Sequence, residues 1–413
     1  MTRTRATALL ALALCALLLS ACGSSPRASD RITGRTLTIW VSGPSHGASS
    51  AAASAVFDGA ELALQQAHGR VGRYRIVLRT LDDSTVASDG WDPNQTTANA
   101  RLVLQDPTTI GYLGDFNSGA SAIAIPLLNG EEIPQISASS TAVGLTSTGP
   151  GASPGEPQKY YPTGVRTFAR VVPSDAVQAL ALVQVQQDAG CSSVFVLQDG
   201  EVDGEDAALS FVLTAQSAGL RVVGIQAFQR HASSYASLAT SVAGSGADCV
   251  LISAIDEASA ALLTEEVARA VPAATIFATD GLADSTYASP ATGIPLSLDP
   301  RVLVASPTLD LTAYPASARA FVDAYSRRFG PPEPAAIFGY EAMRLMLDSI
   351  ARATDGGRTA AERSSVLSAL MRTRDRHSVL GTYSIDRGGD ATIHRYGIYR
   401  IVNGRLAFLE EAG

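Results

Sequence analysis

The stretch TIGYLGDFNSGASAIAIPLLNGEEIPQIS, residues 109–137, decides the fold class. Thr109–Leu113 is a short apolar run, the pattern of a strand covered on both faces. Asn117-Ser118-Gly119 follows as a polar turn, and residues 119–129 carry apolar side chains at helical spacing. Gln135-Ile136-Ser137 is then a second short strand. A strand, a helix and a strand with short connections argue a parallel sheet flanked by helices.

The same rhythm extends outward in both directions. Residues 36–41 (TLTIWV) form a buried strand, and a loop runs from Ser42 to Ala51. Residues 52–67 place Ala53, Val56, Phe57, Ala60 and Leu64 on one helical face. Residues 74–81 form a strand ending in Asp82-Asp83, and Asp92-Pro93 opens a helix to Gln105, with Asp92 as cap and Pro93 at the first helical position. A segment rich in Pro and Gly, 146–164, breaks the pattern and is expected to be an exposed loop. Beyond it, helices at 175–187, 205–219, 235–243 and 257–270 alternate with strands at 193–197, 221–228, 249–253 and 275–278. A strand at 302–305 and helices at 317–329 and 336–354 follow. The tail changes character: strands at 381–385, 391–401 and 406–409, separated by Gly388-Gly389 and Asn403-Gly404, predict antiparallel hairpins. The chain is therefore two consecutive α/β units with an antiparallel tail.

Composition narrows the function classes. Of 413 residues, 46% are hydrophobic and 17% charged, which is a folding chain with room for two to three domains. Its 31 basic and 39 acidic residues leave a net charge of −8, which argues against a nucleic-acid or anionic-membrane surface as partner. No Cys or His pair has zinc-ligand spacing, so neither a metal nor a cofactor is expected. The single lysine, Lys159, lies in no phosphate-binding loop. Residues 1–21 have the form of a signal peptide: Arg3 and Arg5, then an apolar run too short to span a bilayer. Leu19-Ser20-Ala21-Cys22 looks like a bacterial lipobox, which implies cleavage before Cys22 and a diacylglycerol on its thiol. Losing Arg3 and Arg5 makes the mature chain two units more negative. Residues 22–35, rich in Ser and Gly, are the expected tether, and the location is extracytoplasmic, anchored to the cell membrane by lipid alone.

A colinear series of segments resembles the Leu/Ile/Val-binding family of type I periplasmic binding proteins. They are FDGAELALQQA (57–67), LDDST (81–85), DPNQTTANARLVLQD (92–106), IGYLGDFNSGASAIAIPLL (110–128), IPQISASSTAVGLT (133–146), RVVPSDAVQALALV (170–183), VFVLQDGEVDGEDAALSF (194–211), ATDGLAD (278–284) and GYEAMRLMLDSI (339–350). The resemblance implies two Rossmann-like α/β lobes with parallel central sheets, a three-crossover hinge and a ligand cleft between the lobes. The crossovers carry over to near Ser174, Ser306 and Leu380, giving lobes of 36–174 plus 307–380 and of 175–306 plus 381–413. It implies an ABC importer's substrate-binding component, with a permease and ATPase complex as partner and an amino acid as ligand. A ligand sensor acting through a separate signalling partner is the alternative.

The resemblance also assigns residues. Ser118, Ser139 and Thr141 match positions that grip the ligand's α-carboxylate, and Asp280 matches the acid facing its ammonium. Taken alone, the serines suit helix caps and Asp280 a turn. Asp175 matches an acid at the cleft edge, Asp203 stands where the family has Tyr, and Ile255 stands where an aromatic covers the ligand. His46 lies in the loop after the first strand, in a position to face the cleft; Asp203 and Asp256 either add carboxylates there, which would favour a polar or cationic ligand side chain, or are solvated rim residues. An enzyme would need an activated nucleophile or a metal, and Ser118 has no recognisable His partner. In a lobe of strand order 2-1-3, Cys191 and Cys249 fall at the same end of adjacent strands, roughly 5 Å apart, within reach of a disulfide; two separate buried thiols are the alternative.

Overall fold

The computed structural model describes residues 30–47 and 49–413. The expected signal peptide, Cys22 and the tether up to residue 29 lie outside the described residues. A first sheet holds β1 Thr36–Gly43, β2 Tyr74–Asp82, β3 Thr109–Leu113, β4 Gln135–Ser137 and β5 Phe168–Arg170 in the order β2-β1-β3-β4-β5, all parallel. The two-residue strand Arg70–Val71 adds antiparallel to the outer edge of β2. Helices α1 Ser50–Gln66, α2 Pro93–Gln105 and α3 Ser118–Asn129 make the crossovers. Asp92 caps α2 as expected, accepting from the backbone N–H groups of Asn94 and Gln95, which is worth about 1 kcal/mol.

A second sheet holds β6 Ser193–Gln198, β7 Arg221–Ala227, β8 Cys249–Ser253, β9 Thr275–Ala278, β10 Val302–Ser306, β11 Tyr396–Ile401 and β12 Leu406–Ala412. Its order is β7-β6-β8-β9-β10-β11-β12, parallel through β10 and antiparallel beyond. Helices α4 Asp175–Asp188, α5 Val202–Ser217, α6 Ala236–Ser245 and α7 Glu257–Ala270 cover it. Cys191 and Cys249 are joined in a disulfide with their Cα atoms 5.8 Å apart.

After β10 the chain returns to the first sheet as α8 Ala316–Phe329, α9 Ala336–Ala353 and α10 Arg363–Met371. The return is fixed by two glycines. A Cβ on Gly59 of α1 would lie 2.2 Å from the Ala336 carbonyl, and one on Gly339 of α9 would lie 2.2 Å from the Val56 carbonyl. Only glycine lets these backbones meet, and Met343 and Met346 of α9 then join Leu37, Ile39 and Ile110 in one core. Arg31–Ile32 pairs with Ala361–Glu362, and the Asp30 carboxylate accepts from the Ser364 backbone and hydroxyl. Leu380, Tyr383, Ile385 and Ala391 pack into this first core, so the third passage between lobes falls between Ala391 and Tyr396, later than the resemblance places it.

One local expectation is qualified and another corrected. Segment 146–164 is exposed over much of its length, as expected, but it is not a free loop: Tyr160 and Tyr161 are buried against Ile125, Leu145 and Phe168, and the Tyr161 hydroxyl donates to the Leu145 carbonyl at 2.7 Å. Its adjacent tyrosines give it an apolar face that a count of Pro and Gly overlooks. Helix α5 begins at Val202 rather than 205, which puts Asp203 in its first turn. Gly204 looks like a breaker, but a Cβ there would lie 2.3 Å from Asp199 Oδ1, so it is a packing glycine inside the helix.

Candidate functional site

The carboxyl ends of both parallel sheets face a cavity of about 110 Å³, the place where open α/β sheets hold ligands. Asn117, Ser139 and Thr141 come from the loops after β3 and β4. Asp203, Ile255, Glu257, Asp280 and Asp284 come from the second lobe, and Glu333 and Phe338 from the segment that returns.

Hydrogen bonds cross this cleft. Ser118 Oγ donates to Asp203 Oδ1 at 2.7 Å and Thr141 Oγ1 donates to the same oxygen at 3.1 Å. Ser139 Oγ donates to the Phe116 carbonyl at 2.7 Å. Trp91 Nε1 reaches Glu201 at 3.3 Å nearer the rim. On the second lobe, Gln178 Nε2 donates at 2.8 Å to both Asp175 Oδ1 and Asp280 Oδ1, while the Tyr396 hydroxyl donates at 2.8 Å to Asp280 Oδ2. Arg170 Nη1 holds the Ser140 and Ala142 carbonyls at 3.1 and 2.8 Å, which fixes the loop carrying Thr141.

The electrostatics are acidic. Burial raises Asp203, and its bonds from Ser118 and Thr141 oppose that rise. Burial, then repulsion from Asp203, raises Asp280. Asp175 is pushed well up by burial and by the charges of Asp203 and Asp280. Glu257 is pushed well up by burial and by Asp284 beside it.

A cleft of this build, closed by side chains from two parallel-sheet lobes, accords with the profile described as periplasmic binding protein, which matches residues 36–405. The chain belongs to the periplasmic binding protein family. Among solved structures, the leucine binding protein LivK from Thermotoga maritima is 20% identical, with a TM-score of 0.75 over 91% of this chain and 98% of that one. The branched-chain amino acid transporter substrate binding protein LivJ from Streptococcus pneumoniae, in complex with isoleucine, is 18% identical, with a TM-score of 0.70 over 91% and 100%. A solute binding protein from R. palustris, in complex with benzoate, is 17% identical, with a TM-score of 0.73 over 91% and 96%. The family is one of binding proteins rather than enzymes, and it serves ABC transporters.

In this binding protein, Ser139, Thr141, Asp203, Ile255 and Asp280 line the cavity together. Ser118 is fully buried and does not line it; it touches the site through Asp203. Asp175 is fully buried behind Gln178, with its backbone N–H on the Thr141 carbonyl. His46 is exposed outside the cavity, because its loop folds back and its ring meets Ser45, Ser84 and, at 3.5 Å, Asp82. Asp256 caps α7 and lies 3.6 Å from His231 in a neighbouring hollow. Glu257, Asp284, Glu333, Phe338, Gln178 and Tyr396 are additions. The acids look like helix-terminal residues in sequence, while Phe338 and Tyr396 arrive from distant parts of the chain, so local pattern carries no signal for them.

Two segments have the Gly-x-Ser-x-Gly spacing of a hydrolase elbow, Gly43 to Gly47 and Gly151 to Gly155. Neither makes an elbow. The Ser45 hydroxyl donates directly to Asp82, and His46 presents the same Nδ1 to Ser45 and Asp82, so no relay runs from Ser through His to Asp. Gly151 to Gly155 lies between turns with no strand before it. Among the described residues, no group of three His, Cys, Asp or Glu side chains could hold a metal, and no helix is long and apolar enough to cross a membrane.

Proposed function

We propose that this chain is the solute-binding lipoprotein of an ABC importer, held outside the cell membrane through Cys22. It hands a small amine-bearing ligand, with amino acids as the first class to test, to a permease and ATPase complex. The observation that carries the reading is Asp280 on the cavity wall, oriented by Gln178 and Tyr396 and facing groups from the other lobe. An ammonium there meets a carboxylate fixed before it arrives, and contacts to both lobes favour the closed form by differential affinity. Asp280→Ala is expected to weaken binding about ten- to a hundredfold, the worth of one charge-assisted bond. Calorimetry on wild type and variant measures it, and unchanged affinity removes Asp280 from the site. The anchor has its own test. Cys22→Ala is expected to leave the membrane fraction or to remain unprocessed, and normally processed, fully membrane-bound variant protein defeats the lipid-anchor claim.

A further inference from the structure

We infer that the ligand is a compact organic amine with no carboxylate beside its amino group, because Asp203 already occupies the carboxylate's place; this rests on the solute-binding role proposed above. Asp203 reaches across from the second lobe and takes the hydroxyl protons of Ser118, at 2.7 Å, and Thr141, at 3.1 Å. The Ser139 proton goes to the Phe116 carbonyl at 2.7 Å. The three hydroxyl donors that the family resemblance assigns to a ligand carboxylate are thus spent within the protein. What faces the cavity instead is a set of acceptors: the carboxylates of Asp203, Glu257, Asp280, Asp284 and Glu333. Among the described residues, no Lys, Arg or His lines it.

One of the lining groups asks for a donor directly. Asn117 Oδ1 is buried without a hydrogen-bond partner, in a side chain only 7% exposed. Leaving such acceptors unmet is costly, and an entering N–H group relieves that cost. An entering carboxylate would add another anion among five acids with its donors already taken. Phe116 and Phe338 on the walls of this cavity of about 110 Å³ offer apolar surface to the alkyl part of a compact amine.

Matched pairs differing only by a carboxylate test this by calorimetry on the full chain: 3-methylbutylamine against leucine, cadaverine against lysine, and agmatine against arginine. In the pair that binds, the amine is expected at least tenfold tighter. Asp203→Ala frees the Ser118 and Thr141 hydroxyls, so it should reverse the order, the amino acid gaining and the amine losing; Asp203→Asn, which keeps an acceptor but not the charge, should weaken the amine alone. An amino acid that outbinds its amine in the wild type, and is weakened by Asp203→Ala, overturns the inference while leaving the solute-binding role standing. Binding of neither member of any pair to protein that is folded by circular dichroism overturns both.

Discussion

Arg170→Met should lower the unfolding free energy by about 3 kcal/mol and loosen the ligand loop in whatever fraction remains folded. Arg170 is a fully buried cation whose three nitrogens are all engaged: Nε on Asp390 at 2.7 Å, Nη1 on two carbonyls, and Nη2 on Thr146 Oγ1 at 2.7 Å. Methionine fills much of the volume but leaves those acceptors without a donor. Breaking a buried pair costs about 3–5 kcal/mol, and the lower figure applies because the Asp390 side chain keeps 24% exposure and can rehydrate. Urea unfolding checks it. A loss below about 1 kcal/mol would mean that the loop from Ser140 to Thr146 is held by its other contacts.

The Cys191–Cys249 bridge carries the second large effect. It joins residues 58 apart, and the loop-closure model assigns a ring of that size about 4 kcal/mol. Cys191→Ser, Cys249→Ser and the double variant should therefore each lose roughly that much, and reductant should bring the wild type to the same denaturant midpoint. Both cysteines sit at the amino ends of β6 and β8, opposite the cleft. Ligand affinity should accordingly change less than twofold under conditions where all variants are folded. Wild-type protein whose midpoint ignores reductant would show that the bridge is not formed in solution.

The strand–helix alternation was legible because each strand is a short apolar run and each helix follows within a few residues, so period and punctuation agree. That is why β3, β4 and β8 were placed to the residue. Phe168–Arg170 and Arg363–Met371 escaped: three residues are too few for a period, and Arg363-Ser364-Ser365 does not announce a helix. The cleft was legible only where a residue follows a strand directly, as Ser139 and Asp280 do. Asp203 carried a signal, since an acid replaced an expected tyrosine, but its contact with Ser118 depends on two lobes meeting across 85 positions of sequence. Spacing along a chain holds no record of such a meeting.

The first described residues are stitched to the lobe of β1 to β5. Arg31–Ile32 runs along Ala361–Glu362, and Asp30 is clasped by Ser364. A pull applied at Asp30 therefore enters the lobe of β1 to β5 as a shear along that short pair of strands, and reaches the other lobe only second-hand, through the three passages and the bonds across the cleft. Were the chain moored ahead of Asp30, one lobe would serve as the fixed frame and the other as the door, so tension on the mooring would bear on the hinge side and not on the cleft.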